Sequence, residues 1–226
     1  MDPITVAGVV AIALVSITSH EAAHGYMADR LGDPTARELG RLTLNPIPHI
    51  DPFFTVLLPL FLILSGSGFI FGGAKPVPVD VSRLHQPRRD WALVGIAGPL
   101  TNLIIAALLA AMLAVALQLG LPGGHRIVEV FSIGIFLNAL LAVFNLIPIP
   151  PLDGSRVVQY FLGPSALSAY RKLEQFGLLI IIALLFFVPG VQRPLADAIF
   201  GVAAALSIPF GVWGVVEPVL HALLFR

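Results

Sequence analysis

Residues 4–24, ITVAGVVAIALVSITSHEAAH, run without a charge from Ile4 to Ser19 and then present His20-Glu21-Ala22-Ala23-His24. Imidazoles four residues apart lie on one face of a helix and can hold one metal ion, and a glutamate beside the first can serve as general base. The apolar run makes the carrying helix a membrane helix. Ionisable groups at membrane depth are costly and mark function. The stretch therefore predicts an all-α polytopic membrane protein with a hydrolytic metal site inside the bilayer.

The composition agrees. Of 226 residues 57% are hydrophobic and 12% charged, about half the ~25% charged share of soluble domains. Basic and acidic residues balance at 13 each. Basic residues interleaved with aromatic platforms are missing, so no nucleic acid is expected as a partner. With no cysteine, disulfides and thiolate metal sites are excluded. A metal has to be held by histidine and carboxylate. The first segment lacks a basic start and a small-residue cleavage site, so it is expected to remain in the mature protein.

Further apolar segments run at about 53–71, 91–119, 127–147, 175–188 and 195–224. A spanning helix needs about 20 apolar residues, which predicts five to six transmembrane helices. The second segment is short and broken by Pro59, Gly66 and Gly68. If it enters and returns, eleven of the thirteen basic residues fall on one side, the arrangement the positive-inside rule favours. A re-entrant or membrane-lying segment is thus expected, with the N-terminus outside and the C-terminus cytoplasmic. Gly40 to Pro46 and Ala74 to Val79 have alternating or β-branched runs cut by proline, and read as short β-like extended stretches between the first and third apolar segments. No polar stretch is long enough for a separate domain, so residues 1–226 are expected to form one membrane domain.

A hydrolytic zinc site has three protein ligands and one open position. Asp153 is the candidate third ligand. It follows an apolar segment and the prolines Pro148, Pro150 and Pro151, which break a helix by removing donors. Broken backbone at membrane depth is tolerated where it lines protein or a cavity.

Taken together, His20-Glu21-xx-His24, Gly98-Pro99-Leu100-Thr101-Asn102 and Asn145-x-x-Pro148-x-x-x-Leu152-Asp153-Gly154 resemble the site-2 protease family of intramembrane zinc metalloproteases, in its short bacterial and archaeal form. The resemblance covers the chain to about residue 160, with no PDZ or CBS insertion visible. It implies His20, His24 and Asp153 as ligands of one catalytic Zn2+, Glu21 as the base, and Asn145 and Asn102 as residues contacting substrate. It also implies regulated intramembrane proteolysis of single-pass membrane proteins, such as anti-sigma factors, within the lipid bilayer of the inner membrane.

Depth can be read from the same helix. His20 precedes the first charges by nine residues, or about 14 Å at 1.5 Å per residue. The site is expected inside the membrane, nearer the cytoplasmic face. His49, His85, His125 and His221 read as loop or interfacial residues. Two other functions use the same residues: a metal transporter, and a catalytically silent homologue that binds substrate. A transporter should spread ionisable groups along a path, whereas here they concentrate at one place beside a non-ligand glutamate.

Overall fold

The computed structural model describes residues 2–57, 60, 61, 64, 65, 73–121 and 123–224, with the side chains at 54–56 outside the description. Helix α1 spans Pro3–Arg30, with Asp2 capping its first turn by accepting from the N–H groups of Ile4 and Thr5. Helices α2 (Pro87–Gln118) and α3 (Gly124–Asn145) follow. The shorter α4 (Asp153–Phe161), α5 (Pro164–Lys172) and α6 (Gly177–Phe187) lead to α7 (Gln192–Ser207) and α8 (Trp213–Leu224).

The burial pattern is that of a protein in lipid. On α2 the stripe Leu100, Ile104, Leu108, Met112 and Val115 points outward, at the spacing of one helical face. The polar residues of α1 turn the other way: Thr5, Ser16, Thr18, His20 and His24 are all buried. Inside, α2, α3, α7 and α8 meet over Ala106, Ala110, Leu113, Ile135, Ala139, Ala203 and Val216. Small residues there let backbones approach where no hydrophobic force drives helices together. The protein is a multi-pass membrane protein.

Four helices among the described residues are long and apolar enough to cross a bilayer: Pro3–Arg30, Pro87–Gln118, Gly124–Asn145 and Gln192–Phe210. This is fewer than the five to six expected. The 175–188 segment yields an 11-residue helix, about 16 Å long against a hydrocarbon core of about 30 Å. The last segment breaks at Pro209 and at Gly211, whose φ of 71° is left-handed. The re-entrant reading of residues 53–71 falls mostly outside the described residues.

The β-like stretches are corrected. Among the described residues no strand forms, and 73–80 runs without regular structure beside α1. Pro76 and Pro78 have no N–H to give a ladder. The donor between them, the N–H of Val77, goes to the Glu21 carboxylate at 2.9 Å. Buried Arg41 holds this strap by donating from Nη2 to the carbonyls of Lys75 and Pro76, at 2.8 and 3.3 Å. At its far end, fully buried Asp33 accepts the N–H of Asp80 at 2.6 Å.

Candidate metal centre

His20 and His24 lie one turn apart on α1 and face α2. Their Nε2 atoms are 3.1 Å apart. Asp153, the first residue of α4, puts its Oδ2 at 3.1 Å from His20 Nε2 and 3.2 Å from His24 Nε2. All three side chains are buried.

The other ring nitrogens fix the tautomers. His24 Nδ1 lies 2.7 Å from the carbonyl of Val94, which can only accept, so Nδ1 carries the proton. His20 Nδ1 lies 2.6 Å from Asn102 Oδ1. In neutral imidazoles both Nε2 atoms then present lone pairs toward Asp153 Oδ2, a buried carboxylate oxygen with no hydrogen-bond partner among the described residues. Three acceptors converging in this way repel one another unless a cation lies between them. Zinc with bonds of 2.0–2.2 Å in a tetrahedral site separates its ligand atoms by about 3.3 Å. The triangle and its N, N, O donor set fit that ion.

Local sequence explains the convergence. A Cβ at Gly98 would stand 2.5 Å from His24 Nε2 and 2.6 Å from His20 Cε1, so only glycine lets both imidazoles rest on α2. Pro99 deprives the Gly95 carbonyl of its helical donor. A Cβ at Gly95 would in turn meet Asp153 O and Arg156 Cβ, each at 2.9 Å. The proline loop doubles back so tightly that a Cβ at Gly154 would strike the Leu146 carbonyl. Arg156, one turn after Asp153, sets Nη1 3.3 Å from Asp153 Oδ1 and lays its guanidinium 4.4 Å over the Trp91 ring.

The chain has relatives among known proteins. The chain is 41% identical over 175 residues, 76% of each chain, to "Putative zinc metalloprotease YwhC" of Bacillus subtilis (strain 168). The model of the family described as "Peptidase family M50" matches residues 123–188, which include the proline loop and Asp153. The chain belongs to peptidase family M50, the site-2 protease family. It is a metalloendopeptidase of that family. Two further relatives are named "Putative zinc metalloprotease Rip2". That of Mycolicibacterium smegmatis is 35% identical over 80% of this chain and 66% of its own. That of Mycobacterium tuberculosis (strain H37Rv) is 33% identical over 85% and 73%. No solved structure gives a significant match.

The other expected M50 site residues divide. Glu21 is half-buried and fixed through one oxygen by the Val77 N–H. Asn102 is fully buried behind His20, its Oδ1 facing His20 Nδ1 and its Nδ2 donating to Asn138 Oδ1 at 3.0 Å. Its hydrogen-bonding groups are engaged inside the protein, by His20, Asn138 and, at 3.5 Å, the Ser16 carbonyl. Asn145 lies at the end of α3, donates back to the Leu141 carbonyl at 2.9 Å and leaves Oδ1 free. Among the described residues no hydrogen bond joins it to His20, His24 or Asp153. Sequence reasoning missed Asn138, Ser16, Arg156 and the Val77 N–H. Asn138 carried a signal, an amide in the middle of an apolar segment.

Proposed function

We propose that the chain is an intramembrane zinc endopeptidase that hydrolyses peptide bonds within or near the transmembrane helices of membrane-anchored proteins. The observation that carries this is the buried triangle of His20, His24 and Asp153 beside a non-ligand carboxylate, Glu21, on helices that lie in lipid. His20, His24 and Asp153 would hold the zinc. Bound there, zinc supplies Lewis acidity that polarises a scissile carbonyl and acidifies water.

The chain's own residues do the rest. Glu21, with one oxygen tied to Val77, has the other available to take a proton from the attacking water and deliver it to the leaving amine. The carbonyl of a helical substrate is bonded to the N–H four residues on and has to be freed. The free Oδ1 of Asn145 suits it to accept such a released N–H. The buried wall of α1, α2 and α4 keeps bulk water from the back of the site.

The fitting substrate is a single-pass membrane protein, of the kind that anti-sigma factors exemplify. The centre sits about ten residues from Arg30, so about 15 Å from the charged end of α1. We place that end at the cytoplasmic face of the inner membrane, and read residues 1–226 as one domain. The test is reconstitution of the whole chain in proteoliposomes with a tagged single-pass substrate, the products mapped by mass spectrometry. A cut within or next to the apolar segment is expected. Cuts confined to soluble flanking sequence would contradict the proposal.

A further inference from the structure

A line of buried hydrogen bonds runs from His20 away from the metal centre through three helices. His20 Nδ1 lies 2.6 Å from Asn102 Oδ1 on α2. Asn102 Nδ2 donates to Asn138 Oδ1 on α3 at 3.0 Å. Asn138 Nδ2 donates to Ser16 Oγ on α1 at 2.9 Å and to the Gly134 carbonyl at 2.9 Å. Ser16 Oγ donates to the Ile12 carbonyl at 2.7 Å. Ser16, Asn102 and Asn138 are fully buried.

The line has one direction. The Gly134 carbonyl only accepts, so Asn138 points its NH2 toward it and its Oδ1 toward Asn102. That oxygen draws the Asn102 NH2 and leaves Asn102 Oδ1 facing the imidazole. An amide oxygen there requires Nδ1–H on His20, which leaves Nε2 with the lone pair a metal needs. Were Asn102 reversed, its NH2 would meet Nδ1 and the proton would move to Nε2. The one other acceptor for Asn102 Nδ2 is the Ser16 carbonyl, at a long 3.5 Å.

We propose that Asn138 is a positioning residue that sets the metal-binding tautomer of His20 through the orientation of Asn102, without touching the metal or the substrate. The inference rests on the reading of His20 as a ligand. It gives a function to a polar group that membrane helices otherwise carry only at a cost.

The experiment uses the full chain with 15N-labelled histidine, metal-free in detergent, together with zinc affinity from chelator competition. In wild type, the His20 signal, identified by its loss in His20→Ala, is expected to show protonated Nδ1. Asn138→Leu is expected to give the Nε2–H form or a mixture, with zinc affinity lower by about 10–100-fold, the usual effect of losing a ligand's outer partner. Asn138→Asp, in its protonated form, keeps an acceptor for Asn102 and one O–H to donate to the Gly134 carbonyl. It is expected to restore the tautomer and bring affinity to within about threefold of wild type. Should Asn138→Leu not accumulate folded, Asn138→Ala replaces it with the same expectations. An unchanged tautomer, or unchanged affinity, in the variant lacking the amide overturns the inference. If His20→Ala itself binds zinc as wild type does, the metal centre fails as well. If only His20→Ala loses zinc, the centre stands and the role of Asn138 falls.

Discussion

Asp153 Oδ2 faces His20 Nε2 at 3.1 Å in a buried space, and with the His20 proton on Nδ1 opposite Asn102 the two are acceptors turned toward each other. Such an arrangement is unfavourable by itself and favourable around a cation. The metal site therefore also bears on stability. Zinc present at about 1,000 times its Kd would stabilise the fold by about 4 kcal/mol. Chelation is expected to lower the melting temperature by several degrees and zinc to restore it, read in a thermal scan in detergent. The same melting point with and without metal would contradict this.

Gly98 is the floor under both imidazoles. Gly98→Ala improves intrinsic helix propensity by about 1 kcal/mol, so α2 should persist. Its Cβ would nonetheless occupy the space of His24 Nε2. Zinc affinity is expected to fall by about 100-fold, at the upper end of lost outer contacts, with the circular dichroism of wild type. Zinc titration and the spectrum together check it.

Most of this floor could be anticipated and some could not. The HExxH spacing and the proline-broken approach to Asp153 carry their geometry locally, because helix periodicity and the missing proline donors dictate it. How Asn102 is used could not be read the same way. Its partners, His20 and Asn138, are 82 and 36 residues distant, and only packing decides which way its amide faces. The strap at 73–80 misled for a related reason. Valines between prolines suit an extended chain, but the N–H of Val77 was taken by Glu21 and that of Asp80 by Asp33 instead of a neighbouring strand. At 175–188 the apolar count promised a span, whereas the helix stops at Phe187 before Pro189 and Gly190.

Arg156 holds the outer oxygen of Asp153 and leaves Oδ2 for the metal. Arg156→Met is expected to weaken zinc binding by about tenfold, within the range for outer partners of metal ligands. Arg156→Lys should fall between, since an ammonium keeps the charge but neither the planar fork nor the stacking on Trp91. Competition with a chromogenic chelator measures the order. Equal affinity for all three proteins would remove Arg156 from the site.

Val77 reaches Glu21 through its backbone N–H, so a change that removes the N–H tests the contact. Val77→Pro keeps an extended chain between two prolines. Hydrogen bonds to charged groups contribute about 1.5–3 kcal/mol, so kcat should fall by about 10–100-fold with zinc content unchanged. Loss of zinc in parallel would show that the strap supports the ligands instead of the base.

Glu21 is where binding and chemistry separate. The most direct test is cleavage of a reconstituted single-pass substrate by wild type and Glu21→Gln, with zinc measured on the same samples. The account predicts one zinc per chain in both, and cleavage by wild type with loss of at least about 100-fold in the variant, the usual weight of a general base. Equal cleavage by the two proteins would contradict it.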